Sequence, residues 1–338
     1  MKLSILIVNW NSLEYLRKCL ASIRDTCADL DLQVVVVDGG SFDGCGEMVA
    51  SDFPEVEFVQ SADNIGFGRS NNLGFTKVKG DAVLLLNPDT ELQEGAVQIL
   101  LQTLLKQKDS GIIGARLLNS DRSLQLSSVH HLPTPLNSAL DSDWLRRRWW
   151  TKSGLCDTMD ANVVEAVSGA CMMMRAEVFR QVGGFSPRYF MYAEDMDLCL
   201  KVTRMGLKIY FAPGAVVLHH GGGSSGTQVS KFSTIMIREA LHVYMRQNHG
   251  FPTALLYKSL MAVSAMVRLP ILGLAWLFSK DGARLTKAAS MLKWWIVMRW
   301  SLGGEGWAKS HFLENSEIPL SSVKPSEQSK KVVSDAVI

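Results

Sequence analysis

The sequence predicts an α/β fold with a mostly parallel central sheet. Two observations predict it. Over roughly the first 115 residues, short apolar or β-branched runs alternate with stretches of helical periodicity, the pattern of successive βα units. Polar residues also gather just after the strand-like runs: Asn9 and Asn11, then Asp38, then Asn87 and Asp89. In an open α/β sheet, ligands bind beyond the carboxyl ends of the strands.

Each element has its own signal. Leu3–Val8 reads as a buried strand, and Leu13, Leu16, Leu20 and Ile23 recur at helical spacing. Val34–Val37 is β-branched and fit for mid-sheet, while Val56–Val59 is a weaker strand. Asn71–Val78 reads as the end of a helix stopped by Gly80. Val83–Leu86 is a strand, Ala96–Leu105 a helix and Ile112–Ala115 a strand. Residues 119–160 lose the pattern; Pro133, Pro135, Arg146–Arg148 and Trp149–Trp150 predict a mobile loop or insertion. Beyond it, Val163–Val167 and Ala170–Met174 read as strands around Ser168 and Gly169, and Glu177–Val182 and Glu194–Met205 as helices. Leu207–Phe211 and Ala215–Leu218 read as two short strands. A helix from Val229 to Asn248 is expected to end at Gly250 and Pro252, and the polar tail from 313 to be disordered.

Composition narrows the function. The 338 residues are 47% apolar and 20% charged, which excludes a disordered chain and allows two domains. A net charge of +2 excludes a bulk electrostatic nucleic-acid binder. The charge is unevenly placed: residues 251–300 carry seven Lys or Arg against one acid, Asp281. The six cysteines form no C-x-x-C pair, and free thiols suit a reducing compartment. Leu3–Val8 is too short for a secretory h-region, so no signal peptide is expected. G-x-G-x-x-G after the first strand, the P-loop and G-x-S-x-G are all missing, which weighs against dinucleotide oxidoreductases, P-loop ATPases and α/β-hydrolases.

Five segments carry candidate chemistry. Asp89, in Asn87-Pro88-Asp89-Thr90, suits a divalent cation, although taken alone it reads first as a helix cap. Asp38 can accept hydrogen bonds from a nucleobase edge or serve as an ordinary turn Asp. The segment Asn64 to Gly74 holds three Gly and three Asn, Asn64, Gly66 and Asn72 among them. Such a segment permits close approach of a ligand, and Arg69 can contact a phosphate. Glu194, Asp195 and Asp197 open a helix, where the dipole favours acids. The aromatics before them (Phe185, Tyr189, Phe190, Tyr192) suggest a partly apolar pocket that would tune a general base. His219 and His220, before a Gly/Ser loop through Gly226, can ligate a metal, reach a phosphate or be structural.

In their order, Val8-Asn9-Trp10-Asn11, Val37-Asp38-Gly39-Gly40-Ser41, Asn64 to Gly74, Leu86-Asn87-Pro88-Asp89, Val167-Ser168-Gly169-Ala170, Glu194-Asp195-Met196-Asp197-Leu198 and His219-His220-Gly221-Gly222 carry a resemblance. Over residues 3–250 the chain resembles the family 2 inverting glycosyltransferases, in particular the bacterial rhamnosyltransferase-like branch that builds surface polysaccharides. The resemblance implies a GT-A (Rossmann-like) nucleotide-diphospho-sugar transferase fold with a C-terminal helical appendage. It implies that Asp38 binds the donor nucleobase, with Asn9, Asn11, Asn64, Gly66, Arg69, Asn72, Asn87 and Glu194 around the substrates. Asp89 would hold Mg2+ or Mn2+ on the donor diphosphate, His219 (or His220) would be an auxiliary ligand, and Asp195 would be the general base. Two positions depart from the family. Asn87 replaces the first Asp of D-x-D, as in this branch generally, and Gly39 stands where Asn is common.

The expected partners are a nucleotide-diphosphate sugar donor and a glycan acceptor, lipid-linked. The alternatives are a sugar-nucleotide nucleotidyltransferase, which would want a Gly-rich basic loop where Asn9-Trp10-Asn11-Ser12 stands, and a catalytically silent glycan- or nucleotide-binding module. Residues 1–250 are read as the catalytic domain. Residues 251–312 are read as a basic, Trp-rich amphipathic segment in the cytoplasmic leaflet, which makes the protein a peripheral one on the inner face of the membrane. Packing of this segment on the catalytic domain, or a short spanning or re-entrant helix at 260–278, are the alternatives.

Overall fold

The computed structural model describes residues 1–221 and 230–312. The Gly222–Gly226 loop, the Val229 helix start and the tail from 313 lie outside the described residues. The chain divides into a sheet unit (Met1–Leu132, Asp143–Pro187, Glu194–Ser224) and a helical unit (Pro133–Ser142, Arg188–Ala193 and Ser225 onward).

In the sheet unit, β1 (Leu3–Asn9), α1 (Leu13–Thr26), β2 (Leu32–Asp38), α2 (Cys45–Asp52), β3 (Glu57–Gln60), α3 (Phe67–Phe75) and β4 (Ala82–Leu86) form successive βα units. Then come β5 (Thr90–Leu92), α4 (Ala96–Lys106), β6 (Ser110–Leu118), a 3-10 turn at Leu126–Ser128 and β7 (Val129–His130). The helical unit takes α5 (Pro135–Leu140). The chain returns with α6 (Asp143–Ser153), β8 (Asn162–Val164), β9 (Ala166–Val167), β10 (Cys171–Arg175), α7 (Ala176–Gln181), α8 (Glu194–Arg204) and β11 (Lys208–His219).

The main sheet runs β3-β2-β1-β4-β10-β6-β11-β5, with β8 beside β11. Its first four strands are parallel, as are β6 and β11, while β10 is antiparallel to both its neighbours. The carboxyl ends of β1, β2, β4 and β11 and the start of β10 therefore share one edge. The strands read as continuous apolar runs because both faces are covered. Ile5, Ile7, Val36 and Leu84 face a layer with Leu16, Leu20 and Leu100 of α1 and α4. Leu6, Val37, Val83 and Leu85 face Phe179, Leu198 and Val202 of α7 and α8. Gly74, in α3, lets that helix close on the sheet: a Cβ there would stand 2.3 Å from Leu6 and 2.6 Å from Val37.

Five local readings change. Residues 119–160 are not a structureless loop; they hold α5 and α6, and Trp150 is buried with its Nε1 donating to the Leu126 carbonyl. Thr134 caps α5 and Pro135 sits in its first turn, so the prolines begin a helix there. The Val163–Val167 run is two strands, because the Glu165 carboxylate turns aside to the Leu132 N–H and His131. Leu207–Phe211 and Ala215–Leu218 are one strand, β11, carrying a bulge between Ala212 and Val216. The helix expected to stop at Gly80 ends at Phe75.

In the helical unit, α9 (Lys231–His249), α10 (Phe251–Leu277) and α11 (Asp281–Ser301) pack on one another, with α5 against α10. Gly250 (φ 86°) turns the chain between α9 and α10, and Pro252 lies in the first turn of α10, where its missing N–H is harmless. Tyr244, Tyr257, Met261 and Trp300 form the core, and Trp300 Nε1 donates to Glu239 Oε2 at 2.7 Å. Helix α9 thus groups with the helices that follow it.

Candidate active site

At the end of β2, Asp38 is fully buried. Its carboxylate accepts from Asn9 Nδ2 (2.8 Å), from the Ser41 N–H (2.8 Å) and Oγ (2.6 Å), and from Gln60 Nε2 (2.7 Å). Burial alone would raise its pKa, but the donors from Ser41, Asn9 and Gln60 outweigh that and hold it below the usual range. Asn11 (φ 47°) accepts from the Phe42 N–H, and its own N–H donates to Ser41 Oγ, so the β1–α1 and β2–α2 loops interlock. Asp38 is the hub of this arrangement. Its acceptors face the protein's own donors, while Asn9 Oδ1 is buried without a partner.

Asn87 and Asp89 follow β4. The antiparallel pairing of β5 with β11 sets His219 opposite Thr90, which brings its ring beside Asp89: His219 Nε2 lies 3.3 Å from Asp89 Oδ1 and 3.4 Å from Asn87 Nδ2. The other ring nitrogen, Nδ1, is 2.7 Å from Gln125 Oε1. The amide of Gln125 is oriented by its Nε2, which donates to Asn119 Oδ1 and the His219 carbonyl. The atom facing Nδ1 is thus an acceptor, so Nδ1 donates to it and Nε2 is the nitrogen turned to Asp89. An imidazole nitrogen and a carboxylate oxygen set face to face are a donor pair that a cation between them would suit. Asn87 turns Nδ2 to this ring, and its Oδ1, buried without a partner, is the acceptor that turning the amide over would bring there. The three side chains fit a divalent cation through two oxygens and an imidazole held by an acceptor at its far nitrogen. Among the described residues, no group of three His, Cys, Asp or Glu forms a ready metal set, so the amide of Asn87 is needed to complete this one. Side-chain alternation along the strand sends His220 elsewhere, to Glu91 Oε1 (2.8 Å) and Ser120 Oγ (2.8 Å).

Two hydrogen bonds, through the adjacent residues Gly169 and Ala170, join this cluster to the acids of α8. The Asn87 N–H donates to the Ala170 carbonyl, and the neighbouring Gly169 N–H donates to Asp195 Oδ2 at 2.9 Å. Asp195 Oδ1 accepts from the Met196 N–H. Glu194 is buried against the turn at Gly68, with Oε2 lacking a partner. Burial, then the charges of Asp195 and Asp197, push its pKa up to about 8. Asp197 is fully buried and accepts from Ser186 Oγ.

Three residues read as ligand contacts also make hydrogen bonds within the fold. Asn72 Nδ2 donates to the Phe185 carbonyl and its Oδ1 accepts from the Phe185 N–H. Arg69 Nε donates to the Pro187 carbonyl at 2.7 Å. Asn64 Oδ1 accepts from the N–H of Gly66, whose φ of 86° starts α3. Phe185 belongs to the sheet unit's core, while Tyr189, Phe190 and Tyr192 belong to the helical unit. Gln125, Gln60 and the Gly169 N–H went unnoticed in the sequence. Gln125 sits in the stretch without periodicity, and no single-sequence signal marks it.

Residues 4–183 match the family described as Glycosyl transferase family 2. The N-acetylglucosaminyl-diphospho-decaprenol L-rhamnosyltransferase of Mycobacterium tuberculosis is 28% identical over 241 residues, 66% of this chain and 78% of that protein. Rhamnosyltransferase WbbL of Escherichia coli is 24% identical over 67% of this chain and 86% of its own length. Among solved structures, a mannosyltransferase from Pyrobaculum calidifontis in complex with GDP-Man and Mn2+ superposes with a TM-score of 0.58 at 16% identity, covering 94% of this chain and 88% of that one. The βα order, the polar edge of the sheet and the match across more than half of the chain agree: this protein is a glycosyltransferase and belongs to Glycosyl transferase family 2, in its rhamnosyltransferase-like branch.

Proposed function

We propose that the protein is an inverting, divalent-metal-dependent glycosyltransferase. It moves one sugar, rhamnose or a similar hexose, from a nucleoside-diphosphate donor to a lipid-linked glycan acceptor in cell-surface polysaccharide synthesis. It works at the inner face of the cytoplasmic membrane as a peripheral protein. The observation that carries the reading is the short path from Asn87 through Ala170 and Gly169 to Asp195, which joins a cation-fitting cluster to a carboxylate held by backbone donors. Asp89 Oδ1, His219 Nε2 and Asn87 Oδ1 would hold Mg2+ or Mn2+; bound there, it supplies positive charge to the departing diphosphate. Asp195 takes the proton of the incoming hydroxyl. Of its neighbours, Glu194 is kept protonated near neutral pH by burial and Asp197 is engaged by Ser186, so neither competes as a nucleophile. One base and no covalent intermediate give inversion at the anomeric carbon. The network on Asp38 supports a nucleobase site in which Asp38 acts by ordering Asn9, Ser41 and Gln60.

The test is a panel of UDP-, GDP- and dTDP-sugars offered to the purified chain with Mn2+ and with excess EDTA. A nucleoside diphosphate released only with metal supports the reading. Pyrophosphate exchange into the donor would indicate a nucleotidyltransferase, and turnover undiminished in EDTA would remove the metal role. The names of the rhamnosyltransferase relatives make a nucleotide-linked rhamnose the first donor to try.

A further inference from the structure

Helix α10 is amphipathic the wrong way round for water. It has two charged residues in 27, and both turn inward: the Arg268 guanidinium lies 4.3 Å over the Trp294 ring and donates to the Asp141 carbonyl, and Lys258 Nζ lies 5.5 Å over Trp300. The inner face is buried through Ala254, Tyr257, Met261 and Ala265. The opposite face carries Leu255, Val263, Val267, Ile271, Leu274 and Phe278, each at least half exposed, with Ile271 and Leu274 at 60% and Phe278 at 88%. From Val263 these positions recur at three- and four-residue steps, with Leu255 eight residues before it, so they form one stripe about 35 Å long. A water-facing helix would place Lys258 and Arg268 on that stripe. Beside it, α11 brings bases: the Arg284 guanidinium sits 5.6 Å over the Trp276 ring, and Lys287 Nζ bonds Ser279 Oγ.

We propose that the outer face of α10 is a membrane-seating surface. The helix lies flat at the boundary between headgroups and acyl chains of an anionic leaflet, while the bases of α11 meet the headgroups. This deepens, and rests on, the reading that the acceptor is lipid-linked. Two observations decide among occupants. The helix is long and apolar enough to cross a bilayer, but its inner face is already committed to α5, α9 and α11 along Ala254–Ala265; crossing would strip those contacts. A second copy would set two segments against each other, each with seven bases and one acid, and like charges repel. An anionic leaflet satisfies both the apolar stripe and the charge.

The experiment is co-sedimentation of the full chain with vesicles of phosphatidylcholine alone or mixed with phosphatidylglycerol. Binding is expected on the anionic vesicles, with only partial release at 1 M salt, where the Debye length is about 3 Å. The double substitution Ile271→Asp with Leu274→Asp should weaken binding roughly 100-fold or more. Arg284→Glu with Lys287→Glu should weaken it on anionic vesicles only. Should the double variant fail to fold, a fluorophore on Leu274→Cys in a Cys156→Ser background reads the same contact; a blue shift with anionic vesicles is expected, and an unshifted spectrum overturns the proposal. A folded wild-type chain that stays in the supernatant also overturns it. So does a dimer that Ile271→Asp dissolves, or resistance to alkaline carbonate extraction, which would mean a spanning helix. Nucleotide-sugar turnover by the same preparations with a water-soluble acceptor tests the transfer reading separately: seating lost with turnover intact removes this inference alone.

Discussion

Replacing Glu194 by Gln should remove a pH dependence of stability that the wild-type chain carries. Glu194 is 7% exposed, its Oε2 has no partner, and burial with the charges of Asp195 and Asp197 moves its pKa from 4.5 to about 8. The folded chain therefore keeps a proton that the unfolded chain gives up above pH 4.5. Where the native state binds the extra proton, stability falls as pH rises. The contribution is full below pH 4.5, declines by about 1.4 kcal/mol per pH unit, and is gone once pH passes the folded pKa. Between about pH 6 and about pH 8 the loss from this one group is roughly 2–3 kcal/mol. Gln is nearly isosteric and titrates nothing in that window. Urea unfolding of both chains across this range reads the difference directly. Glu194→Gln should gain on the wild type by roughly 2–3 kcal/mol between the two ends. Parallel stability–pH curves would refute the argument and show Glu194 ionised in the folded chain.

Two further outcomes follow from the geometry. Gln125→Leu removes the acceptor on His219 Nδ1, so Mn2+ affinity by calorimetry should weaken about 10- to 100-fold, with the fold unchanged by circular dichroism; an unaltered affinity would detach Gln125 from the metal site. Gly74→Ala drives a Cβ into Leu6 and Val37, so urea unfolding should show a loss of about 1–3 kcal/mol despite the better helix propensity, and a neutral or stabilising result would contradict the close packing of α3.

The amino-terminal half of the sheet was legible because each strand is buried on both faces and so reads as an unbroken apolar run: Leu3–Val8, Val34–Val37 and Val83–Leu86 all recur as strands. Elements set by long-range pairing were not. Thr90–Leu92 has no apolar run and exists because β11 pairs with it, yet that pairing is what brings His219 to Asp89. The Gly-rich segment has packing duties that composition does not reveal. Gly74 serves helix–sheet packing and Gly66 a helix start, and the amide of Asn72 clasps Phe185. Asn87, Asp89, Asp195 and His219 were visible by type and order, whereas Gln125 acts through a bond across 94 residues that no local pattern encodes.

The measurement that bears most directly on the central claim is acceptor-dependent turnover of the wild type against Asp195→Asn, at saturating donor and Mn2+, with donor affinity measured on the same samples. Asn keeps the size of Asp and its one oxygen can still accept one of the two N–H bonds, from Gly169 or Met196, but it takes no proton. If Asp195 is the base at the edge of the sheet, turnover falls by about 100-fold or more while donor affinity stays within about threefold. Turnover within a few-fold of the wild type would contradict the account and reduce Asp195 to an acid that begins a helix.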